Sequence, residues 1–158
     1  MIPINQNNLT AGEGNCFSAC VASILELSID EVPNFLTESK GQTVKMWQLI
    51  GEWLNEHNWG MLSIMSPGSI KDMKAIWMQC HYVGLKGCLA IGTVRSQKIP
   101  GVLHGIVIGW KCDTPGRAWY NPIILHDPRP DNKPYDVMKD VIGLDLLLPI
   151  MMEEKKDG

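Results

Sequence analysis

The residues able to do chemistry here are a cysteine at the head of an apolar run, two histidines in strand-like segments, and an aspartate. In Gly14-Asn15-Cys16-Phe17-Ser18-Ala19-Cys20-Val21-Ala22-Ser23-Ile24-Leu25, a glycine and a polar amide lead directly into the thiol. From Cys16 to Leu27 only Ser18, Ser23 and Glu26 are clearly polar, so the segment reads as a helix buried on all sides. Its first turn presents unpartnered backbone N–H groups and the positive end of the dipole. A cysteine in that position is biased toward thiolate, the nucleophilic form.

Attack by a thiolate on a carbonyl needs a base that also protonates the leaving group, and a third group to orient that base. His104 and His126 lie in strands, whereas His57 ends a surface helix and His81 follows Cys80 near an expected helix end. If the strands on either side of Asp113-Thr114-Pro115-Gly116 form an antiparallel hairpin, their far ends bring His104 and Asp127 together. Neighbours of that kind have Cβ atoms about 4.5–5.5 Å apart, within reach of an imidazole–carboxylate bond. His126 cannot share Asp127 in this way, because successive strand residues point to opposite faces. The competing role for His104 is that of a satisfied core histidine.

A tetrahedral intermediate also needs donors for its oxyanion. The backbone N–H of Cys16 is one candidate, Gln6 the first side-chain candidate and Asn15 the second. Against these stand a surface amide for Gln6 and a turn or cap role for Asn15. Arg95, Lys98 and Arg129 flank the expected site in loops and are either solvated charges or a receptor for an acidic substrate group. Arg129, between two prolines, is the substrate-binding candidate.

The elements that must position these residues can be read from pattern. Met1 to Glu13 reads as a looped lead-in, and the helix from Cys16 to Leu27 comes next. Ser28-Ile29-Asp30-Glu31 carries the signature of a capping box, and Pro33 limits the helix begun there to a short turn. Thr43 to His57 is amphipathic, with Met46, Trp47, Ile50, Trp53 and Leu54 on the face expected to pack on the first helix. Trp59 to Met65 reads as a strand, and Ser69 to about Gln79 as another helix. Cys88 to Val94, Val102 to Trp110, Trp119 to His126 and Val141 to Ile150 read as strands. Helices first and antiparallel strands later make an α+β fold, with the nucleophile helix packed on a C-terminal antiparallel sheet.

A chain of 158 residues without repeat or linker is read as one domain, 1–158. A net charge of −3 argues against nucleic acid as the main partner. No segment reaches the roughly 18 apolar residues a membrane span needs, so no membrane partner is expected. The N-terminus lacks a charged-then-apolar signal pattern, and five cysteines do not form a secreted framework. Free thiols in the cytoplasm are the expectation, with no cofactor.

Taken in order, Gln6, the Gly14–Ser23 run, His104 and His126-Asp127-Pro128 resemble the papain-like cysteine peptidase superfamily. The likeness is to small single-domain members of tailed phages and prophages, and to the leader peptidases of bacteriocin exporters. It covers about Gln6 to Asp131. It implies a papain-like fold, with Cys16 as nucleophile, His104 as base, Asp127 as orienter and Gln6 as oxyanion donor. It further implies a peptide or protein substrate and, for a phage product, the host cytoplasm. Two departures are the ten-residue gap from Gln6 to Cys16 and Phe17 in place of a small residue. Glu13-Gly14-Asn15-Cys16 is also similar to the motif of ovarian-tumour deubiquitinases, which would promote His126 instead.

Two rival readings remain. Cys16, Cys20, Cys80, His81, Cys88 and Cys112 give no paired C-x-x-C spacing, so no metal site is expected. The other rival is a papain-like module that binds a host protein or small molecule with its triad idle.

Overall fold

Apolar residues at helical spacing fill the first third of the chain, and helices form there. The computed structural model describes residues 1–65, 89–112 and 120–150. Helix α1, Cys16–Leu25, buries every residue from Ser18 to Ile24. It stops two residues before the expected Leu27, because Glu26 adopts φ 61° and turns the chain away. A 3-10 turn, Ile29–Glu31, is held by the capping box, in which the Ser28 N–H donates to Glu31 at 2.7 Å. Helix α2, Phe35–Glu38, is capped by the Asn34 side chain and delivers Phe35 to the core.

Helix α3, Thr43–Glu56, buries Ile50 and Leu54, and Trp53 lies edge-on against Phe35. Trp47 departs from the expected inner face. It is 37% exposed and touches Phe17 only edge-on, because five large residues span more of the helix than its buried side.

The strands are β1 (Trp59–Met65), β2 (Ala90–Arg95), β3 (Leu103–Cys112), β4 (Tyr120–His126) and β5 (Val141–Pro149). A short helix, α4 (Val137–Asp140), precedes β5. The described strands form one sheet in the order β1-β5-β2-β3-β4, antiparallel throughout. The chain is therefore α+β. The helix expected at Ser69 to Gln79 and the turn expected at Asp113 to Gly116 lie outside the described residues.

Alternation along the strands divides the core in two. Ile91, Val107 and Leu147 pack with α1, Phe35 and α3, while Ala90, Ile106, Ile108 and Leu146 form the other layer with Val141 and Leu144. Between β3 and β4, Val107 pairs with His126 but Ile108 pairs with Ile124, so Leu125 is an extra residue. Continuing that register by one position sets Asp127 opposite Ile106, on the face that alternation also assigns to His104. Without the bulge, His126 and Asp127 would exchange faces.

The first residues run as a strap between α1 and the end of β4. Ile2 N–H donates to Ser23 O at 3.1 Å, and Ile4 N–H to Ser23 Oγ at 3.0 Å. Ser23 Oγ in turn donates to Ala19 O at 2.8 Å. Farther along, Gln6 N–H donates to Pro128 O at 3.0 Å. Ser23 is fully buried, so Ser23→Ala leaves the Ile4 N–H without its partner. The expected cost is about 1–3 kcal/mol. It should appear as a lower urea midpoint at unchanged slope, and an unmoved midpoint would deny the strap any share in stability.

Candidate active site

Cys16 sits where α1 begins, with Asn15 as the residue before the first turn. The first intrahelical bond, from Ala19 N–H to Asn15 O at 2.9 Å, fixes the start of the helix at the thiol. Two backbone donors face the sulfur: the N–H of Gly105 at 3.4 Å, and the N–H of Phe17 in the helix's own first turn. Gly105 also lets α1 come close to β3. A Cβ there would meet Ile91 Cγ2 at 3.4 Å, Cys20 Sγ at 3.5 Å and Phe17 Cα at 3.7 Å, so the two elements are in contact at this point.

His104, from the start of β3, is only 6% exposed and lies between the thiol and a carboxylate. Its Nε2 is 2.6 Å from Asp127 Oδ1, and it also hydrogen-bonds to the Cys16 side chain, which leaves Nδ1 for the sulfur. Asp127 is itself held from three directions. Oδ1 also accepts from the Arg129 N–H at 2.9 Å, and Oδ2 accepts from Asn132 Nδ2 at 3.0 Å. The carboxylate thus carries three donors, a number suited to a permanent negative charge.

The electrostatics arise from these contacts. Burial alone would raise the Cys16 thiol. The hydrogen bond and charge of His104, with the Gly105 and Phe17 N–H groups, outweigh burial and bring it below its ordinary value. Burial likewise disfavours a charged His104, but the bonds to Asp127 and Cys16 reverse that and raise it to about 9. Asp127 is held below the usual carboxylate range, its own burial being outweighed by the bonds from His104, Arg129 and Asn132. All three shifts favour a thiolate–imidazolium pair backed by a carboxylate. Cys20, fully buried one turn later, is pushed well above its ordinary value by burial and stays a thiol of the core.

The structure therefore brings Cys16, His104 and Asp127 together. His126 turns the other way, with Nε2 2.8 Å from Ile4 O, and helps seat the strap. His57 ends α3 stacked on Trp53. Gln6 lies beside the site through its backbone bond to Pro128. Its Nε2 reaches only Asn8 O at 3.4 Å, and its Oε1 is buried without a partner among the described residues. Asn15 is engaged with the loop before it: Oδ1 accepts from Asn8 N–H at 3.1 Å and one Nδ2 hydrogen goes to Asn7 Oδ1 at 2.7 Å. Both ends of that amide shape the loop leading to the thiol.

Arg129 is likewise engaged within its own loop. Its Nε donates to Asp131 at 2.9 Å, and Lys98 Nζ lies 3.3 Å from the other Asp131 oxygen. Both cations thus brace the loop that carries Asp127. Three participants escaped the sequence reading: Gly105, Asn132, and Tyr135, whose ring centre lies 6.3 Å from that of His104. The only signals for them in the sequence were a glycine after the histidine and an asparagine closing Asp127-Pro128-Arg129-Pro130-Asp131-Asn132.

Among the described residues no cluster of His, Cys, Asp and Glu is arranged to hold a metal ion, and no helix is long and apolar enough to cross a membrane. Comparison of the chain with protein-family models, with curated proteins and with solved structures returns no match.

The coupling predicts a pH signature. Iodoacetamide should alkylate Cys16 at pH values where an ordinary thiol is inert, while Cys20 is protected until the protein is denatured. The imidazolium is present below about 9 and lost above it, so Asp127→Asn, which lowers that value, should move the Cys16 alkylation midpoint to higher pH. Asn132→Ala should move it in the same direction by less, because two of the three donors to Asp127 remain. A profile that neither variant moves would show that the thiol is not coupled to the imidazole–carboxylate pair.

Proposed function

We propose that the protein is a thiol-dependent hydrolase of papain-like fold that cleaves an amide bond in a peptide or protein through an acyl-enzyme. The observation that carries this reading is His104, bonded on one side to Asp127 at 2.6 Å and on the other to Cys16. A core histidine could satisfy both nitrogens with backbone groups and has no use for a thiol at a helix start.

In this reading the Cys16 thiolate attacks the carbonyl carbon, and the oxyanion forms against the Cys16 N–H. Gln6 is the candidate side-chain donor, and Asn15, with one Nδ2 hydrogen given to Asn7, is the second. Reaching the oxyanion requires Gln6 Nε2 to leave its long contact with Asn8 O. The His104 imidazolium then gives its proton to the leaving nitrogen, and the C–N bond breaks to leave a thioester on Cys16. Neutral His104 next takes a proton from water, whose oxygen attacks the thioester. The acid is released and the thiolate–imidazolium pair is restored. Asp127 keeps the ring aligned through both halves. Peptide, isopeptide and non-peptide amides share this sequence. A thiolate catalyst suits a reducing compartment, and the cytoplasm is the proposed location.

Incubation with a thiol-directed activity probe and cell lysate tests the proposal. Wild-type protein should be labelled at Cys16 and should consume a substrate, whereas Cys16→Ala should do neither. His104→Ala should slow turnover by about 10²–10⁴-fold, the usual worth of a positioned acid–base. Cys16 reactivity no greater than that of free cysteine, together with no effect of His104→Ala, would leave the idle binding module standing.

A further inference from the structure

Tyr135, whose ring centre lies 6.3 Å from that of His104, lines a cleft of about 330 Å³. That volume is at the small end of the range for ligand sites. Arg95, Ser96, Lys139 and Asp140 line it with Tyr135, and Ile142 completes the wall. Its two sides are fastened together. The Tyr135 hydroxyl donates to Arg95 O at 3.2 Å, and the Gln97 amide grips both the N–H and the C=O of Lys133.

Most polar groups near the cleft already have partners. The Tyr135 hydroxyl and both ends of Gln97 are engaged in this fastening, and Lys139 is paired with Asp136 at 3.2 Å. One oxygen of Asp140 accepts from the Asp136 N–H at 2.6 Å. Ser96 Oγ accepts from the N–H groups of Lys98 and Ile99, which leaves its proton to give. The Arg95 guanidinium has no acidic partner among the described residues. Unused donors therefore outnumber unused acceptors.

We infer that this cleft receives a carboxylate carried by the leaving-group portion of the substrate. The inference rests on the hydrolase reading above, since it is His104 that hands its proton to the leaving nitrogen. A group that lies against Tyr135 is beside the imidazole that serves that portion. One ring spacing of 6.3 Å separates His104 from Tyr135, and an extended residue spans about 3.3–3.6 Å. The carboxylate is thus expected on the second residue past the scissile bond.

Acyl transfer tests this without knowledge of the natural substrate. p-Nitrophenyl acetate acylates Cys16 and releases p-nitrophenolate in a burst. An added amine then attacks the thioester, His104 takes the amine proton, and the C–S bond breaks to give the acetylated acceptor. Three acceptors are compared: Gly-Glu-Gly amide, Gly-Gln-Gly amide, and Gly-Gln-Gly with a free C-terminal carboxylate. Gly-Glu-Gly amide should be favoured over its neutral counterpart by about fivefold, the upper worth of a solvent-exposed ion pair. The advantage should fall at high salt.

Arg95→Met should bring the ratio to about one, and Arg95→Lys should retain part of it, each normalised to its own burst so that misfolded protein is not counted. An advantage seen only for the free C-terminus would place the carboxylate at the chain end and not on a side chain. Equal use of all three acceptors, or a preference that survives Arg95→Met, overturns the inference while leaving the hydrolase intact. A missing burst in the wild type, matching Cys16→Ala, removes the hydrolase and the subsite with it.

Discussion

The hydrogen bond of 2.6 Å from His104 to Asp127 joins two groups that burial would otherwise neutralise. A charged imidazole in a site this enclosed survives only beside a fixed negative charge. That charge persists because the Arg129 N–H and Asn132 Nδ2 also donate to the carboxylate. The thiol depends on the imidazolium in turn. Removing any one of these links returns the others toward neutral forms, so the site behaves as one electrostatic unit.

The architecture serves that unit through a few tight devices. The Leu125 bulge turns Asp127 toward His104 and sends His126 to the strap. Gly105 allows α1 to approach β3 closely enough for its own N–H to meet the Cys16 sulfur. The Lys98–Asp131–Arg129 cluster adds little energy by itself, since solvent screens exposed ion pairs. Its use is geometric, fixing the turn from which the Asp127 donors project.

Much of this was legible in the residues. The buried helix α1, the amphipathic α3 and the strand from Trp59 to Met65 are dictated by periodicity and by apolar runs bounded by turns. The pairing of His104 with Asp127 could be read from hairpin geometry, although its actual basis is finer. A bulge depends on how two strands settle against each other, and no local pattern around Leu125 announces it. The partners of Asn15 and Arg129 were not legible for a related reason. Sequence gives the type of a polar side chain but not its nearest partner, and Asn7, Asn8 and Asp131 claimed these two first. Trp47 shows the limit of an apolar stripe, which specifies a side of a helix more broadly than the face that becomes buried.

The place of β5 carries one more consequence. The last described strand lies inside the sheet, hydrogen-bonded to β1 on one side and β2 on the other. Strand β1 is therefore hydrogen-bonded to the rest of the sheet through β5, whereas α1 packs on β3 directly. Contacts so distant in sequence make for slow folding, because loop closure comes before the stabilising contacts form. During synthesis Cys16 emerges long before His104 and Asp127, so a nascent chain carries an ordinary thiol. The lowering of the Cys16 thiol arrives only when β3 and the segment after β4 have settled beside α1.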